Sequence, residues 1–301
     1  MTLRPMSFYE FVLANGEQIL LEYIENLDIQ TSVPQIFVDK FITLLKIYYV
    51  TGGMPEVVAK WIESKDLAEI ERIQDMILSS YELDFAKYAP ATDFPKLSLI
   101  WKSIPDQLAK ENGKFVYGHA KPGARAKDLE DAMQWLVSAG MVYKVNKIEK
   151  PSIPLSAYSN QGYFKLYMSD IGLLRKMARL PAASIFEESI HYSEFKGALT
   201  ENYVLCELVD LYGDVPYYWR SGNTAEVDFI AQFEEKVVPI EVKASTSVKA
   251  RSLGVYREKY KPEISVRASL QNLKKNDGLI NLPLYMLWTI EKYINNSSVP
   301  F

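Results

Sequence analysis

At 301 residues the chain is long enough for two or three domains with a full apolar core. Its 48% hydrophobic, 24% charged and 13% aromatic residues exclude a disordered or collagen-like polymer. A single cysteine, Cys206, excludes an internal disulfide and a cysteine-based zinc site, and two histidines, His119 and His191, leave little for a histidine metal site or a Ser-His-Asp triad. There is no signal-peptide pattern and no apolar run of membrane-spanning length, so a soluble, cytoplasmic protein is expected.

The net charge of −4 is unevenly spread. Residues 1–108 carry nine basic and sixteen acidic side chains, whereas 243–275 carry nine basic and two acidic ones. A second basic stretch holds Lys110, Lys114, Lys121, Arg125 and Lys127 against one acid, Glu111. Such local positive fields can hold phosphates even on an acidic protein, but solvated surface charge is the better reading of either stretch taken alone.

In chain order, residues 1–90 read as helices. SFYEFVLANGEQILLEYIEN has helical apolar spacing, with Ser7 and Glu10 in a capping-box arrangement. VPQIFVDKFITLLKIYYV follows and stops at Gly52-Gly53, and Pro55 opens the next helix, where its missing N–H costs nothing. DLAEIERIQDMILSSYELDFAKYA is a long amphipathic helix ending near Pro90. The GGMPE segment reads either as a break and restart or as a helix start facing a ligand.

Residues 91–183 read as a second module. FPKLSLIWKSIPDQLAK is helical, KFVYGHA is short and β-prone, KDLEDAMQWLVSAG is a helix ended by Gly140, and MVYKVNKIEK alternates as a strand. PSIPLSAYSNQG reads as a loop before YFKLYMSDIGLL. This order resembles a winged helix-turn-helix, in which Arg125 and Lys127 meet DNA phosphates or simply flank a solvated helix start.

Residues 184–301 open with the helix EFKGALTENYVLCELVDLYG, whose Leu199, Tyr203, Cys206 and Val209 fall on one side as core. PYYWRS, AEVDFIAQF, KVVPIEVKAS, EISVRASL and LPLYMLWTI read as strands, with VKARSLGVYREKY as a helical crossover. The fold class expected is therefore α+β and multidomain, with a mixed sheet in its last third.

The chemistry concentrates in this last third. Asp228 lies in one apolar strand, Glu241 in the next, and Lys243 two residues on, on Glu241's face. Glu234-Glu235 is poor chemistry for a primed two-residue turn, so a four-residue loop from Phe233 to Lys236 is expected. Its even length sets Asp228 opposite Glu241. Two carboxylates at one sheet end suit Mg²⁺, and a lysine beside them can orient or deprotonate water or steady charge on a scissile phosphate.

Glu201 on a helix, then Asp228, then Glu241-x-Lys243 on adjacent strands resembles the PD-(D/E)xK, restriction-endonuclease-like pattern, with Val227 where the named proline would stand. SFYEF, YYVTGGMPEVV, YELDFAKYA, FKLYMSDIGLL and YYWRSGNTAEVDFI with PIEVKAS extend a resemblance over almost the whole chain. They resemble bacterial and archaeal AAA-type ATPases with a C-terminal domain of unknown function. The resemblance implies that residues 1–90 are a helical lid-like segment, that 91–183 are winged-helix-like, and that 184–301 are restriction-endonuclease-like.

No G-x-x-x-x-G-K-[ST] motif is present, so this chain alone is expected to hydrolyse no ATP, which would enter only through an ATPase domain preceding this part. Two functions follow as expectations. One is a Mg²⁺-dependent nuclease using Glu201, Asp228, Glu241 and Lys243, with Asp228 and Glu241 as metal ligands. The other is a non-catalytic DNA- or protein-binding module whose charges pair as a structural salt bridge. For DNA, the candidate contacts are Lys110, Lys114, Lys121, Arg125, Lys127, Lys249 and Arg251, and an oligomer is compatible with either reading.

Overall fold

A computed structural model of the chain describes residues 3–110, 113–187, 193–222, 225–245 and 251–295. Helices alternate with short links at first: α1 (Phe8–Ala14), α2 (Gln18–Glu25), α3 (Gln35–Thr51), α4 (Pro55–Ser64), α5 (Leu67–Tyr88), α6 (Phe94–Leu108), α7 (Tyr117–Ala120) and α8 (Ala126–Ser138). Strands β1 (Val142–Ile148) and β2 (Ser159–Met168) precede α9 (Ile171–Met177), α10 (Ala182–Glu187) and α11 (Ser193–Tyr212). Then come β3 (Tyr217–Ser221), β4 (Ala225–Phe233), β5 (Lys236–Val242), α12 (Arg251–Tyr260), β6 (Ser265–Ser269), β7 (Lys274–Asn276), β8 (Leu279–Pro283) and α13 (Ile290–Asn295). The fold is α+β with an eight-stranded mixed sheet in the order β2-β1-β3-β4-β5-β6-β8-β7. No described helix is long and apolar enough to cross a membrane.

By contact density the chain forms two units. The first comprises Met1–Ser7, Lys46–Lys144 and Phe164–Asn202, and the second Phe8–Leu45, Val145–Tyr163 and Tyr203–Phe301. In the first unit Phe85 packs edge-on against both Trp101 and Trp135, with ring centroids 5.7 Å apart in each case. Its polar centre is Asp170, fully withdrawn from water. Asp170 Oδ2 accepts the Gly53 N–H at 2.7 Å, and Oδ1 accepts the Leu173 N–H at 2.8 Å and so caps α9. The neighbouring glycines are forced by space: a Cβ on Gly52 would lie 2.3 Å from Asp170 Oδ1, and one on Gly172 would lie 2.5 Å from the Thr51 carbonyl oxygen. The GGMPE break is therefore a carboxylate-capped restart of the chain. The Gly53 N–H at this break is taken by Asp170.

The second unit joins two motifs. Its aromatic core stacks Phe41 on Tyr285 at 5.1 Å and sets Phe8 against Trp288 at 6.2 Å. Its sheet combines antiparallel β3–β4–β5 with parallel β5–β6 and β6–β8, the β5-to-β6 crossover being α12. Trp219 and Val227 pack beneath Leu253 and Tyr256 of that crossover.

Several local expectations are corrected. The first predicted helix is broken at Asn15-Gly16, where Gly16 takes φ +79°. KFVYGHA forms one bridge, Lys114 to Lys165, and then α7 rather than a strand. Of the loop PSIPLSAYSNQG, Leu155–Tyr158 is a 3-10 turn and Ser159 onward is β2, because Tyr158 pairs back to Glu149 through its carbonyl. LPLYMLWTI is mostly a 3-10 segment, Leu284–Thr289, since β8 ends at Pro283. The β7–β8 hairpin turns on Asp277-Gly278, both at positive φ, as a primed two-residue turn requires. α11 is buried nearly all round, and Cys206 is half-buried rather than core.

Candidate functional site

The β4–β5 hairpin is the part of the second unit where charge enters an apolar sheet. Phe233 pairs with Lys236, so the connection is the two residues Glu234-Glu235, with Glu234 at φ +52°. The expected four-residue loop is thus wrong, because Glu234 accepts the positive φ that its residue type disfavours. The parity is unchanged, and the ladder runs from Phe233↔Lys236 to Phe229↔Ile240. The next residues on the two strands are Asp228 and Glu241.

At that point β4 carries a bulge. From Tyr217 to Trp219 on β3, the partner strand advances from Ile230 to Val227, so β4 holds one extra residue at Asp228-Phe229. Bulges re-aim side chains. Here Asp228 turns to the end of β5, where its Oδ2 accepts the Val242 main-chain N–H at 2.7 Å, between Glu241 and Lys243. Lys243 continues the ladder by donating its own N–H to the Ala268 carbonyl at 2.8 Å, and its Nζ lies 2.6 Å from Glu241 Oε1. Asp228 is 9% exposed and Glu241 3%, so both carboxylates stand largely out of water. Charges so placed are tolerated only when paired, hydrogen-bonded or bound to a metal.

Asp228, Glu241 and Lys243 are thus gathered at the end of β5. Glu201 belongs to the first unit, where its Oε2 accepts the Tyr167 hydroxyl at 3.1 Å and lies 3.5 Å from Nζ of buried Lys165. Among the described residues there is no group of three or more His, Cys, Asp or Glu side chains suited to a metal. Mg²⁺ does not require one: it retains several waters and is commonly held by one or two carboxylates together with substrate phosphate. Asp228 and Glu241 are the two carboxylates here that could hold such an ion.

The expected nucleic-acid contacts are less concentrated. Lys110, Lys121, Arg125 and Lys127 are exposed in the first unit, and Lys114 is half-buried at the bridge to β2. Lys110 Nζ lies 2.9 Å from Nδ1 of exposed His119. Arg125 donates its main-chain N–H to Asp128 at 2.8 Å, which offsets the basic charge at the start of α8. Arg251 is exposed at the start of α12, whereas Lys249 and His191 lie outside the described residues.

Two residues escaped the sequence reading, Arg267 on β6 and Asn281 on β8. They stand beside Glu241 in register, Glu241↔Arg267 and Arg267↔Asn281. The signal that could have found them was the Asn-Asp-Gly turn at 276–278, which fixes β8 and therefore its alignment with β6.

No curated protein and no solved structure matches the chain. Two family models do match. Residues 42–184 match a domain of unknown function, DUF8612. Residues 196–287 match a second, DUF4143, a domain found in AAA-ATPase-associated proteins, and this stretch holds Glu201, Asp228, Glu241 and Lys243.

Proposed function

We propose that the second unit carries a restriction-endonuclease-like site that cleaves nucleic-acid phosphodiesters with Mg²⁺, within the regulatory portion of an AAA-type ATPase. The observation that carries this reading is the convergence of Asp228, Glu241 and Lys243 at the end of β5 across a bulge in β4. The hairpin β4–β5, the crossover α12 and parallel β6 support the restriction-endonuclease-like fold, and α6, α8 and β1 in that order support a winged-helix element for DNA. Asp228 and Glu241 would hold the ion, which supplies Lewis acidity at the phosphoryl oxygen and an acidified water. Lys243 holds Glu241 in position and places a positive charge where the phosphate gathers negative charge.

The alternative, a non-catalytic DNA- or protein-binding module, draws support from the same 2.6 Å ion pair, which satisfies Lys243 without any ligand. The deciding experiment pairs a plasmid-cleavage assay in Mg²⁺ and Mn²⁺ with calorimetric Mn²⁺ titration of the full chain and of Asp228→Asn. Asp228→Asn keeps the side chain's shape and removes its charge. The nuclease reading expects metal-dependent nicking and a heat of binding, both lost in the variant with the thermal unfolding curve unchanged. Metal-independent silence of the parent chain in both assays selects the binding module.

A further inference from the structure

The sheet beside the carboxylates is built in rows. Residues in register on neighbouring strands share a face, and one such row runs Glu241, Arg267, Asn281, Lys274 across β5, β6, β8 and β7. The rows one residue to either side, Ile240, Val266, Ile280 and Val242, Ala268, Leu282, are apolar and buried and point to the other face of the sheet, so the polar side chains of this row share one face.

Arg267 is its central cation. Nη1 donates to Asn281 Oδ1 at 3.2 Å, and Nε is withdrawn from water without an acceptor. Among the described residues its hydrogen-bond partner is thus a neutral amide. Lys243, the other cation at this end of the sheet, lies against Glu241 at 2.6 Å. The charge left for an anion is therefore on Arg267. A buried N–H with no acceptor is unfavourable, and a guanidinium is the group best shaped to take two oxygens of one phosphate.

We propose that Arg267, oriented by Asn281, is the phosphate-binding residue of the β5 site, holding the nonbridging oxygens of a nucleic-acid phosphodiester beside Asp228 and Glu241. This deepens the nuclease reading and rests on it for the ligand class. The surrounding charge fits the ligand: exposed Lys274 ends the row, and nine basic residues stand against two acidic ones from Lys243 to Lys275.

The test uses the full chain, Arg267→Gln and Arg267→Lys with short fluorescein-labelled single-stranded DNA and RNA of one sequence. Ca²⁺ replaces Mg²⁺ to prevent cleavage, and anisotropy is read across a salt series. Arg267→Gln is expected to bind about tenfold more weakly, with a salt slope shallower by about 0.7, the value of one phosphate contact on a single strand. Arg267→Lys is expected to recover the slope and only part of the affinity, because an ammonium lacks the two-pronged geometry. Whichever oligonucleotide shows these losses is the source of the phosphate.

Wild-type affinity and slope in Arg267→Gln overturn the proposal, as does absence of binding by the parent chain. If Arg267→Gln does not fold, Arg267→Lys decides: wild-type affinity in that variant overturns the role of the fork. Mn²⁺ calorimetry separates the two levels. Metal binding retained in Arg267→Gln with oligonucleotide binding unchanged leaves the nuclease reading standing and removes Arg267. Oligonucleotide loss in Arg267→Gln with no Mn²⁺ heat in the parent chain keeps Arg267 as a phosphate site and removes the nuclease.

Discussion

Glu207 offers a direct measure of what charge burial does to this fold. It sits on α11 at 2% exposure, and its Oε1 accepts the Phe8 N–H that opens α1 at 2.8 Å. Burial pushes its carboxyl up from 4.5 to about 8, the Phe8 N–H pulls it down, and the charges of Asp210 and Glu10 add to the rise. Below the unfolded value the carboxyl is neutral in both states and the fold bears no cost. Between 4.5 and about 8 the unfolded chain ionises while the folded one stays protonated, so stability falls as pH rises and the loss is complete above about 8. At 1.36 kcal/mol per unit the whole window amounts to about 5 kcal/mol, and about 3 kcal/mol has gone by neutrality.

Glu207→Gln keeps an oxygen for the Phe8 N–H and removes the titration. In urea unfolding followed by tryptophan fluorescence, the variant should match the parent within about 1 kcal/mol near pH 4 and exceed it by about 3–5 kcal/mol above pH 8. Parallel stability profiles for the two proteins between pH 4 and 9 would falsify the account, since they would place the Glu207 carboxylate in contact with water.

Asp170 gives the same sign over a lower window. Burial raises it from 3.8 to about 6 against its main-chain donors, so ionisation should cost the first unit about 3 kcal/mol as pH climbs through that range. Asp170→Asn should flatten the slope in chemical denaturation, and an unchanged slope would assign the pH dependence to another group. Arg175, 1% exposed, binds Glu71 at 2.9 Å, Gln74 at 2.7 Å and the Leu180 carbonyl at 2.7 Å. Arg175→Ala should therefore cost about 2–3 kcal/mol in urea unfolding, because it leaves buried Gln74 and half-buried Glu71 without the guanidinium. A loss below 1 kcal/mol would mean that water replaces the guanidinium.

Much of the architecture was legible because it follows local rules. Asp66 accepts the Ala68 N–H and starts α5, Pro55 begins α4, and Gly140 ends the helix that became α8. The alternation in AEVDFIAQF and KVVPIEV identified both strands of the hairpin, and Glu-x-Lys on one strand brought Glu241 and Lys243 to a common face before any fold was known. The local pattern departs from the fold at one apolar segment. LPLYMLWTI is as apolar as a strand, yet its aromatics fill the core of the second unit from a 3-10 segment, since burial sets their conformation where periodicity is absent.

Composition and spacing by themselves determined which residues carry charge into apolar segments, because a carboxylate in a strand such as IEVK is conspicuous in one dimension. Only tertiary structure decided what each charge meets. The bulge that turns Asp228 to the Val242 N–H arises from a slip between β3 and β4, and the row from Glu241 to Lys274 needs the parallel pairings of β5 with β6 and of β6 with β8 together with the antiparallel β7–β8 hairpin. Asp170 lies over a hundred residues from Gly53, and Glu207 about two hundred from Phe8. A hydrogen bond between such residues leaves no periodic trace in the sequence, since helices and strands repeat over a few residues while these contacts are set by the path of the folded chain.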